Sequence, residues 1–230
     1  MIKGVRKIYS EVADTYERVN HVLTLGLDIH WRRKAARIAA SADGRYWLDV
    51  CSGTGEMAQN LSRLAQAGVK IISVDFSAPM LSKARGRRDH TGVSLIEAEA
   101  RHLPFADETL DLVTISFATR NLSSNEDYLT SHLREFRRVL RPGGLFVNLE
   151  TSQPSSRLVR RFFRFYINLV VKPIGTLISG SKAGYSYLSF TIPRFYSAEE
   201  FSSIICQAGF RKIDYKKLCF GAAAIHTAVR

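Results

Sequence analysis

The stretch LDVCSGTGEMA, residues 48–58, indicates the fold class of this 230-residue chain. Its first residues are apolar and predict a strand, a glycine-containing turn follows, and the residues after the turn predict a helix. Gly53 and Gly55 let the backbone turn tightly and approach a ligand without a Cβ in the way. A strand, a glycine turn and a helix in this order are typical of nucleotide-binding proteins.

Strands and helices alternate around and after that turn. The predicted strands are YWLDVC (46–51), KIISVD (70–75), VSLIEA (93–98), LDLVTISF (110–117) and GLFVNLE (144–150). The predicted helices of this region cover residues 56–67, about 77–86 and about 124–140. Such alternation implies a mostly parallel sheet with helices on both faces, in which ligands lie beyond the carboxyl ends of the strands.

Further elements are predicted at both ends of the chain. The apolar residues of a first amphipathic helix recur at three- and four-residue steps, at Ile8, Val12, Tyr16, Val19 and Leu23. A second helix is predicted from His30 to Ala40.

The last third ends in a helix and a hairpin. In SAEEFSSIICQAGF (197–210), Ser197 is a predicted N-cap, Glu200 completes a capping box and Gly209 ends the helix. RKIDYKKLCF and AAAIHTAV then predict an antiparallel hairpin at one sheet edge.

The chain is therefore predicted to be one α/β domain with a mostly parallel seven-stranded sheet. Its predicted parts are an N-terminal helical lid (1–45), a cofactor-binding core (46–150), a substrate- or membrane-facing insertion (151–196) and the C-terminal helix and hairpin (197–230).

Composition favours an ordinary globular protein of the cytoplasm. Hydrophobic residues make up 46% and charged residues 23% of the chain, and the N-terminus lacks the apolar run of a signal peptide. The longest apolar stretch, residues 165–171, is far shorter than the roughly 20 residues that span a bilayer. The cysteines at 51, 206 and 219 have no metal-ligand spacing and predict neither a metal site nor a disulfide framework.

The net charge of +12 is concentrated in the last third. Residues 47–150 hold 12 Lys/Arg and 13 Asp/Glu, whereas residues 151–230 hold 12 and 3, a net charge of +9. Polyanions or an anionic membrane surface are the candidate partners, and the alternative is charge that serves solubility alone.

The acid at the end of the second strand indicates a ribose-containing cofactor. Asp75 lies twenty residues after Gly55, where its carboxylate can accept hydrogen bonds from both ribose hydroxyls. Gly53, Gly55 and Ala58 also satisfy the dinucleotide fingerprint, so an NAD(P)-binding oxidoreductase or nucleotide sensor stays open.

Three further features favour S-adenosylmethionine (SAM). Asp49 precedes the glycine turn, where a carboxylate suits the ammonium group of SAM better than a pyrophosphate. Glu99 follows the third strand, where an acid can meet the adenine amino group. RRVLRPGGLF (137–146) leads from a helix to a strand through Pro-Gly-Gly, a turn that class I methyltransferases commonly have before their fifth strand.

The chain resembles the ubiquinone/menaquinone-biosynthesis C-methyltransferase family (UbiE-like) over nearly its whole length. The matching stretches are YERVNHVLTLGLDIHWRR (16–33), LDVCSGTGE, VDFSAPML, LPFADETLDLVTISFATRN (103–121), FRRVLRPGG, GYSYLSFTI and AGFRKIDYKKLCFGAAAIH (208–226). The first and fourth of these stretches are specific to the family and are not general features of the methyltransferase fold. The resemblance implies the class I SAM-dependent methyltransferase (Rossmann-like) fold, with SAM as cofactor and S-adenosylhomocysteine (SAH) as product.

Carried over by position, the resemblance implies SAM contacts from Thr54, Asp75, Glu99 with Ala100, and Ser116. The whole predicted cofactor-binding set is Asp49, Gly53, Thr54, Gly55, Asp75, Phe76, Glu99, Ala100 and Ser116.

Several positions depart from the family pattern. Cys51-Ser52 replaces the usual alanine and glycine or cysteine, and Glu56 and Glu99 replace shorter acidic or amide residues. FATRN replaces FGLRN and puts Ala118 and Thr119 beside the expected acceptor site, which leaves the substrate less certain than the reaction.

The expected reaction is C-methylation of a polyprenyl hydroquinol, with demethylmenaquinol favoured over the equivalent ubiquinol precursor. Another small phenolic, amine or lipid acceptor is the alternative. A ring carbon of a hydroquinol is a good nucleophile only when the neighbouring hydroxyl, with a pKa near 10, is deprotonated.

Arg120 and Asn121, after the fourth strand, are the candidate catalytic residues: the guanidinium would stabilise the phenolate and the amide would orient an oxygen. Tyr16 with Asn20 would complete the network. The alternatives are that Arg120 only pairs with a carboxylate of the sheet, that Asn121 only caps the next helix and that Tyr16 only packs. His226 is interpreted as structural.

A basic aromatic segment supplies a candidate membrane contact. Its arginines are Arg157, Arg160, Arg161 and Arg164, and they interleave with Phe162, Phe163, Phe165 and Tyr166. Such a helix can lie peripherally on the inner face of an anionic membrane; alternatively it covers the sheet or forms a homodimer face. No nucleic-acid-binding motif is recognised, so no nucleic-acid partner is expected.

Overall fold

The computed structural model describes residues 13–87, 92–179 and 182–230. The strands are β1 (Tyr46–Val50), β2 (Lys70–Asp75), β3 (Val93–Glu97), β4 (Leu110–Ser116), β5 (Leu140–Thr151), β6 (Arg211–Leu218) and β7 (Ala223–Val229). They form one seven-stranded sheet in the order β3-β2-β1-β4-β5-β7-β6. The pairs from β3 to β5 are parallel, and β7 runs antiparallel to both β5 and β6.

The helices surround this sheet. They are α1 (Tyr16–Leu23), α2 (Leu27–Ala39), α3 (Glu56–Ser62), α4 (Ala78–Arg85), α5 (Glu126–Val139), α6 (Arg157–Tyr166), α7 (Lys172–Ser179), α8 (Lys182–Thr191) and α9 (Ala198–Gln207). A π-helical segment, Ile167–Val171, joins α6 to α7. None of the helices within the described ranges is both long enough and apolar enough to cross a bilayer.

The N-terminal helices differ from the predicted bounds. Ile8 and Val12 lie outside the described residues, and the described part of the first helix is α1. α2 begins three residues before His30, because Gly26 takes a left-handed conformation (φ +76°) that lets the chain turn directly into the helix.

Two predicted boundaries in the core were wrong. α3 ends at Ser62 rather than residue 67, since the Leu64 N–H bonds the Leu61 carbonyl in a tighter turn. β5 begins at Leu140, so Pro-Gly-Gly lies within the strand instead of before it. The register shifts there between the pairs Leu110–Leu140 and Leu112–Leu145. Gly143 (φ +80°) allows this bulge, which no local pattern announces.

The predicted C-terminal elements are confirmed. Ser197 and Glu200 form a complete capping box at the start of α9, and Gly209 follows the helix at φ +94°. The antiparallel β6–β7 hairpin lies at the edge of the sheet as expected. Its inner strand, β7, pairs with β5 over seven residues and closes the order of the sheet.

The apolar interior is divided into three clusters. Two large clusters cover the two faces of the sheet, one around Phe136 and Phe146 and the other around Trp47 and Met57. A third, smaller cluster joins α1 to the segment after α6 and contains Val19, Leu23, Ile167 and Val171. The N-terminal helix is therefore held to the insertion by its own apolar contact, separate from the sheet.

Candidate active site

A cavity lies at the carboxyl edge of β1, β2 and β4, with about 680 Å³ of empty space that is partly open to solvent. Five residues of the predicted cofactor set line it, namely Gly53, Thr54, Asp75, Phe76 and Ser116. This is the position at which parallel sheets of this kind bind ligands. We refer to it as the cofactor cavity.

The glycine turn has the tight backbone conformation that its sequence predicts. Cys51, Gly53 and Gly55 all have positive φ, at +53°, +55° and +83°. A Cβ built on Gly53 would meet nothing within 4 Å, so glycine is favoured there by backbone conformation and not by crowding within the protein. The turn brings Thr54 into the cavity wall.

Asp75 is oriented by the turn that it faces. Its carboxylate accepts hydrogen bonds from the backbone N–H groups of Gly53 (2.8 Å) and Ser77 (2.9 Å). Burial raises the pKa of Asp75, and these donors oppose the rise. Because each carboxylate oxygen has a second lone pair, Asp75 can still accept hydrogen bonds from a pair of ribose hydroxyls.

Four predicted cofactor residues lie off the cavity wall. Asp49 is fully buried behind the turn, accepts a hydrogen bond from Thr114 Oγ1 (2.9 Å), and burial raises its pKa to about 7. Gly55 begins α3, Ala100 belongs to the sheet core and Glu99 is exposed. Their contact with a cofactor stays a prediction.

A larger groove adjoins the cofactor cavity, with about 1370 Å³ of empty space that is open to solvent. Its walls are mostly apolar and come from α1, the start of α2, α6 and the segment after α6. Tyr16, Arg32 and Phe117 line both spaces. We call this larger space the acceptor groove, and these three residues form the junction between the two.

Arg120 lines the acceptor groove from a one-turn 3₁₀-helix, Thr119–Leu122. Its guanidinium donates to Glu150 Oε1 at 2.7 Å and its backbone N–H donates to Oε2 at 3.1 Å. Glu150 also accepts from the backbone N–H and the hydroxyl of Thr151. Arg120 therefore pairs with a sheet carboxylate and borders the groove at the same time, so its pairing does not exclude a catalytic role.

Asn121 lines the cofactor cavity, one residue from Arg120. The alternative that it caps the next helix is wrong, because α5 is capped by Asn125, whose side chain accepts from the Tyr128 N–H at 2.7 Å. Asn121 is therefore a wall residue of the cofactor cavity and not a helix cap.

Tyr16 brings α1 to the junction of the two spaces. Burial raises the pKa of its phenol, while Arg120 and Arg32 nearby and a hydrogen bond with Asn20 oppose that rise. The phenol is therefore protonated at neutral pH and can donate a hydrogen bond.

His226 lies elsewhere and fits its structural interpretation. Its Nε2 is 2.9 Å from the Ala198 carbonyl, and burial lowers its pKa to about 4. It therefore stays neutral at physiological pH.

Arg32 and Phe117 are site residues that the sequence reasoning missed. Arg32 is buried and pairs with Asp28 (2.5 Å) and Glu56 (3.2 Å), and its guanidinium lies 5.0 Å from the centre of the Phe117 ring. Phe117 has a left-handed φ of +55° directly after β4. Only the position of Phe117 between Ser116 and Asn121 could have indicated it, and an arginine of an amphipathic helix is not distinctive.

A cluster of titratable side chains lies where α1 meets the cofactor cavity. Glu17, His21 and Glu56 bring ligand-type atoms within 4.8 Å of one another. Arg87 pairs with Glu17 and Arg32 pairs with Glu56, so both carboxylates are already neutralised by guanidinium groups. The group therefore gives no support for a bound cation.

α6 has three distinct faces, as its rotation of 3.6 residues per turn requires. Val159, Phe162, Phe163 and Tyr166 line the acceptor groove, and Phe162, at the rim of this face, is also 65% exposed. Leu158 (64% exposed) and Phe165 (63% exposed) lie on a second, outward face. The arginines of the third face, 157, 160, 161 and 164, surround a shallow depression.

Comparison with known proteins identifies the relationship of the chain. A sequence model of the ubiE/COQ5 methyltransferase family matches residues 2–230. The chain is 37% identical over 229 residues to the demethylmenaquinone methyltransferase of Lactiplantibacillus plantarum, covering 98% of this chain and 95% of that protein. It is 37% identical over 227 residues to the ubiquinone/menaquinone biosynthesis C-methyltransferase UbiE of Geobacter sulfurreducens, with 97% and 87% covered.

Solved structures agree on the fold. A SAM-dependent methyltransferase from Thermotoga maritima, described as a possible histamine N-methyltransferase, superposes with a TM-score of 0.65 at 19% identity. The superposition covers 97% of this chain and 98% of that one. A putative methyltransferase of Haloferax volcanii, in complex with the activator Trm112, gives a TM-score of 0.67 at 16% identity, with 97% of each chain covered. The predicted class I methyltransferase fold is thereby confirmed.

Proposed function

This chain belongs to the ubiE/COQ5 methyltransferase family, and from that membership we propose that it methylates a ring carbon of a polyprenyl hydroquinol in quinone biosynthesis, with SAM as the methyl donor. The acceptor is demethylmenaquinol, since relatives from Lactiplantibacillus plantarum and Thermus thermophilus are named demethylmenaquinone methyltransferases. The equivalent ubiquinol-precursor step is the second candidate, supported by the UbiE relative. Membership of a methyltransferase family argues against the alternative of an NAD(P)-binding oxidoreductase or nucleotide sensor.

The observation that carries this proposal is the junction between the two spaces. Tyr16, Arg32 and Phe117 border a polar cavity at the carboxyl edge of the sheet on one side and a large apolar groove on the other. A methyl donor in the first and a ring in the second would meet at this junction. Transfer between bound molecules requires such alignment.

The residues of the cofactor cavity fit SAM. The Asp75 carboxylate has lone pairs for the ribose hydroxyls. Burial raises the pKa of Asp49 to about 7, and a cationic ligand nearby would favour its ionised form. Phe76 and Met80 supply apolar wall beside Asp75. When bound, SAM supplies an electrophilic methyl group on a sulfonium.

Arg120 activates the acceptor. Its guanidinium lowers the pKa of a hydroquinol hydroxyl in the groove, since a nearby positive charge favours the phenolate. Glu150 holds the guanidinium in place. Tyr16 donates a hydrogen bond to the same oxygen or to its para partner, and Asn121 orients the ring from the cofactor side.

Apolar side chains keep water away from the ring and hold the prenyl chain. Leu23, Phe163, Ile167 and Leu188 belong to the groove wall, and α1 covers one end of it. A long apolar chain in this groove is stabilised by about 0.8 kcal/mol for each buried CH₂. Another small phenolic, amine or lipid acceptor remains the alternative, but it would fill less of this groove than a polyprenyl hydroquinol.

The protein reaches its substrate at a membrane surface, in peripheral contact with anionic lipid. Support comes from α6, in which an exposed apolar face lies beside a face of four arginines and the inner face borders the acceptor groove. A homodimer formed through the same outward face is the competing use of α6.

The experiment that tests the reaction is transfer of labelled methyl from SAM to reduced short-chain demethylmenaquinol. Demethoxy-type benzoquinols and the oxidised quinone serve as parallel acceptors. We expect label only with a reduced quinol, and most with demethylmenaquinol. If the protein binds SAM but labels no quinol, the methyltransferase assignment stands and the proposed quinol acceptor is wrong.

A further inference from the structure

Arg87, in the turn after α4, joins three separate parts of the cofactor site. Its Nε donates to the Thr54 carbonyl at 2.6 Å, one terminal nitrogen donates to Gln59 Oε1 at 3.0 Å, and the other pairs with the Glu17 carboxylate. Thr54 belongs to the glycine turn, Gln59 to α3 and Glu17 to α1. A guanidinium can do this because its donors point outward in one rigid plane, whereas a lysine ammonium cannot span all three.

α1 is held differently on its two sides. Towards the acceptor groove, Val19 and Leu23 are buried in an apolar cluster with Ile167 and Val171, and the Tyr166 hydroxyl donates to the Leu23 carbonyl at 2.5 Å. Towards the cofactor cavity, Glu17 pairs with Arg87, and His21 lies 3.5 Å from Glu56 and 2.9 Å from Asp28.

Two ion pairs on this side are open to water. The Glu17–Arg87 pair is partly exposed, and the neighbouring Asp14–Lys83 pair (2.5 Å) is largely exposed. Ion pairs with access to water separate at a low cost in free energy. Exposing an apolar cluster to water costs more.

We propose that Arg87 is a positioning residue that latches α1 over the cofactor cavity, and that this lid opens on the cofactor side while the apolar cluster on the acceptor side stays closed. Opening then breaks the Glu17–Arg87 pair, separates His21 from Glu56 and withdraws Tyr16 from the junction, so SAM can enter and SAH can leave while Val19 and Leu23 stay packed in the apolar cluster. The same guanidinium holds Thr54, so closing of the lid and shaping of the glycine turn depend on one side chain.

The latch predicts a specific effect on cofactor affinity. If SAM and SAH bind tightly only to the closed form, a variant that lowers the closed fraction weakens apparent affinity by that fraction. The lower affinity should appear as faster dissociation of SAH, because the lid must open before SAH can leave. This inference rests on the proposed function only through the binding of SAM and SAH to the cofactor cavity.

The test is SAH binding by calorimetry, with its dissociation rate by stopped flow, on the full-length chain. Glu17→Gln removes the lid arm of the latch and is expected to weaken SAH binding about three- to fivefold. Arg87→Lys also loses the contacts with Thr54 and Gln59 and is expected to weaken it about tenfold or more. Lys83→Met breaks the other ion pair of the lid without touching the glycine turn, and its SAH affinity should stay within about twofold of the original.

A double variant separates a latch from a general loss of stability. Adding Glu17→Gln to Arg87→Lys should weaken SAH binding by less than the product of the two single effects, because both act on one contact. If the original protein binds SAH, two results would overturn the latch. One is unchanged SAH affinity in Glu17→Gln, and the other is a loss of affinity in Lys83→Met as large as that in Glu17→Gln. Failure of the original protein to bind SAH would instead overturn the proposed function, and the latch with it.

Discussion

At the scale of single residues, Arg120 has two contacts with different consequences. Its pair with Glu150 is buried, and breaking a buried pair leaves an uncompensated charge. Its position on the acceptor groove would give the same charge access to a hydroquinol oxygen in the proposed reaction. A test of catalysis must therefore keep the positive charge and change only its geometry.

Arg120→Lys meets that condition. We expect kcat for demethylmenaquinol to fall about 100-fold, because the ammonium cannot hold Glu150 and the phenolate oxygen together as the planar guanidinium does. SAH affinity should not change, since Arg120 does not line the cofactor cavity. Steady-state kinetics and calorimetry measure the two quantities, and an unchanged kcat would assign Arg120 to structure alone.

Asp49 links the cofactor turn to pH. Burial raises the pKa of its carboxyl to about 7, above the value of about 3.9 in an unfolded chain. The folded state therefore prefers the protonated form. The contribution of Asp49 to stability is fully present below about pH 4 and is lost as the pH rises through about 7.

Asp49→Asn should remove this pH dependence. In the absence of cofactor, the free energy of unfolding of the variant relative to the original should rise from pH 4.5 to pH 8, by at most about 1.4 kcal/mol per unit of pKa difference. Urea unfolding at the two pH values measures it. The same difference at both pH values would report only the changed hydrogen bond with Thr114 and would contradict the raised pKa.

At the scale of elements, α6 has faces of different chemistry. Its inner face borders the acceptor groove, its arginines form one side, and Leu158 and Phe165 project outward. Neither Leu158 nor Phe165 lines the groove, so both can be changed without altering the substrate wall. This separation makes the outward face testable by itself.

The double variant Leu158→Ser with Phe165→Ser should bind vesicles of phosphatidylglycerol at least about tenfold more weakly than the original, because two exposed apolar side chains no longer enter the interface. Transfer to a short-chain quinol in solution should be unaffected. Leu64→Ser, an exposed leucine beyond the far end of α3, is the matched control.

Vesicle sedimentation measures the binding of α6, and analytical ultracentrifugation measures the mass of the protein in solution. If the double variant loses self-association and keeps vesicle binding, the outward face of α6 is a dimer contact. That result would contradict its membrane role.

At the scale of the whole molecule, the charge distribution has a direction. The cofactor-binding core, residues 47–150, is nearly neutral, whereas residues 151–230 have a net charge of +9 and include α6. Because the four arginines of α6 lie beside the acceptor groove, long-range attraction would turn this side of the molecule towards an anionic surface. Salt should weaken this attraction without weakening the chemistry.

Raising NaCl from about 0.05 to 0.5 M should slow methyl transfer to a long-chain quinol in anionic vesicles at least about tenfold, because screening shortens the reach of each charge. Transfer to a short-chain quinol in solution should change little over the same range. Initial rates of label incorporation measure both, and equal salt effects on the two acceptors would contradict electrostatic delivery.

The sequence predicted the elements better than their bounds. The capping box of α9 and the glycine turn after β1 are local, so Ser197, Glu200, Gly53 and Gly55 could be assigned directly. The bulge at Gly143 could not, because it depends on pairing with β4, which the residues of β5 do not encode locally.

The sequence by itself determined the fold class, the glycine turn that borders the cavity at the strand ends and the family resemblance, because periodicity, turn chemistry and motif spacing are properties of neighbouring residues. Only the tertiary structure decided which distant side chains meet. It paired Arg120 with Glu150 across 30 residues and Arg87 with Glu17 across 70, and it placed Arg32 on both spaces. Such contacts depend on strand register and on how helices pack, and those are set by burial over the whole chain rather than by any one segment.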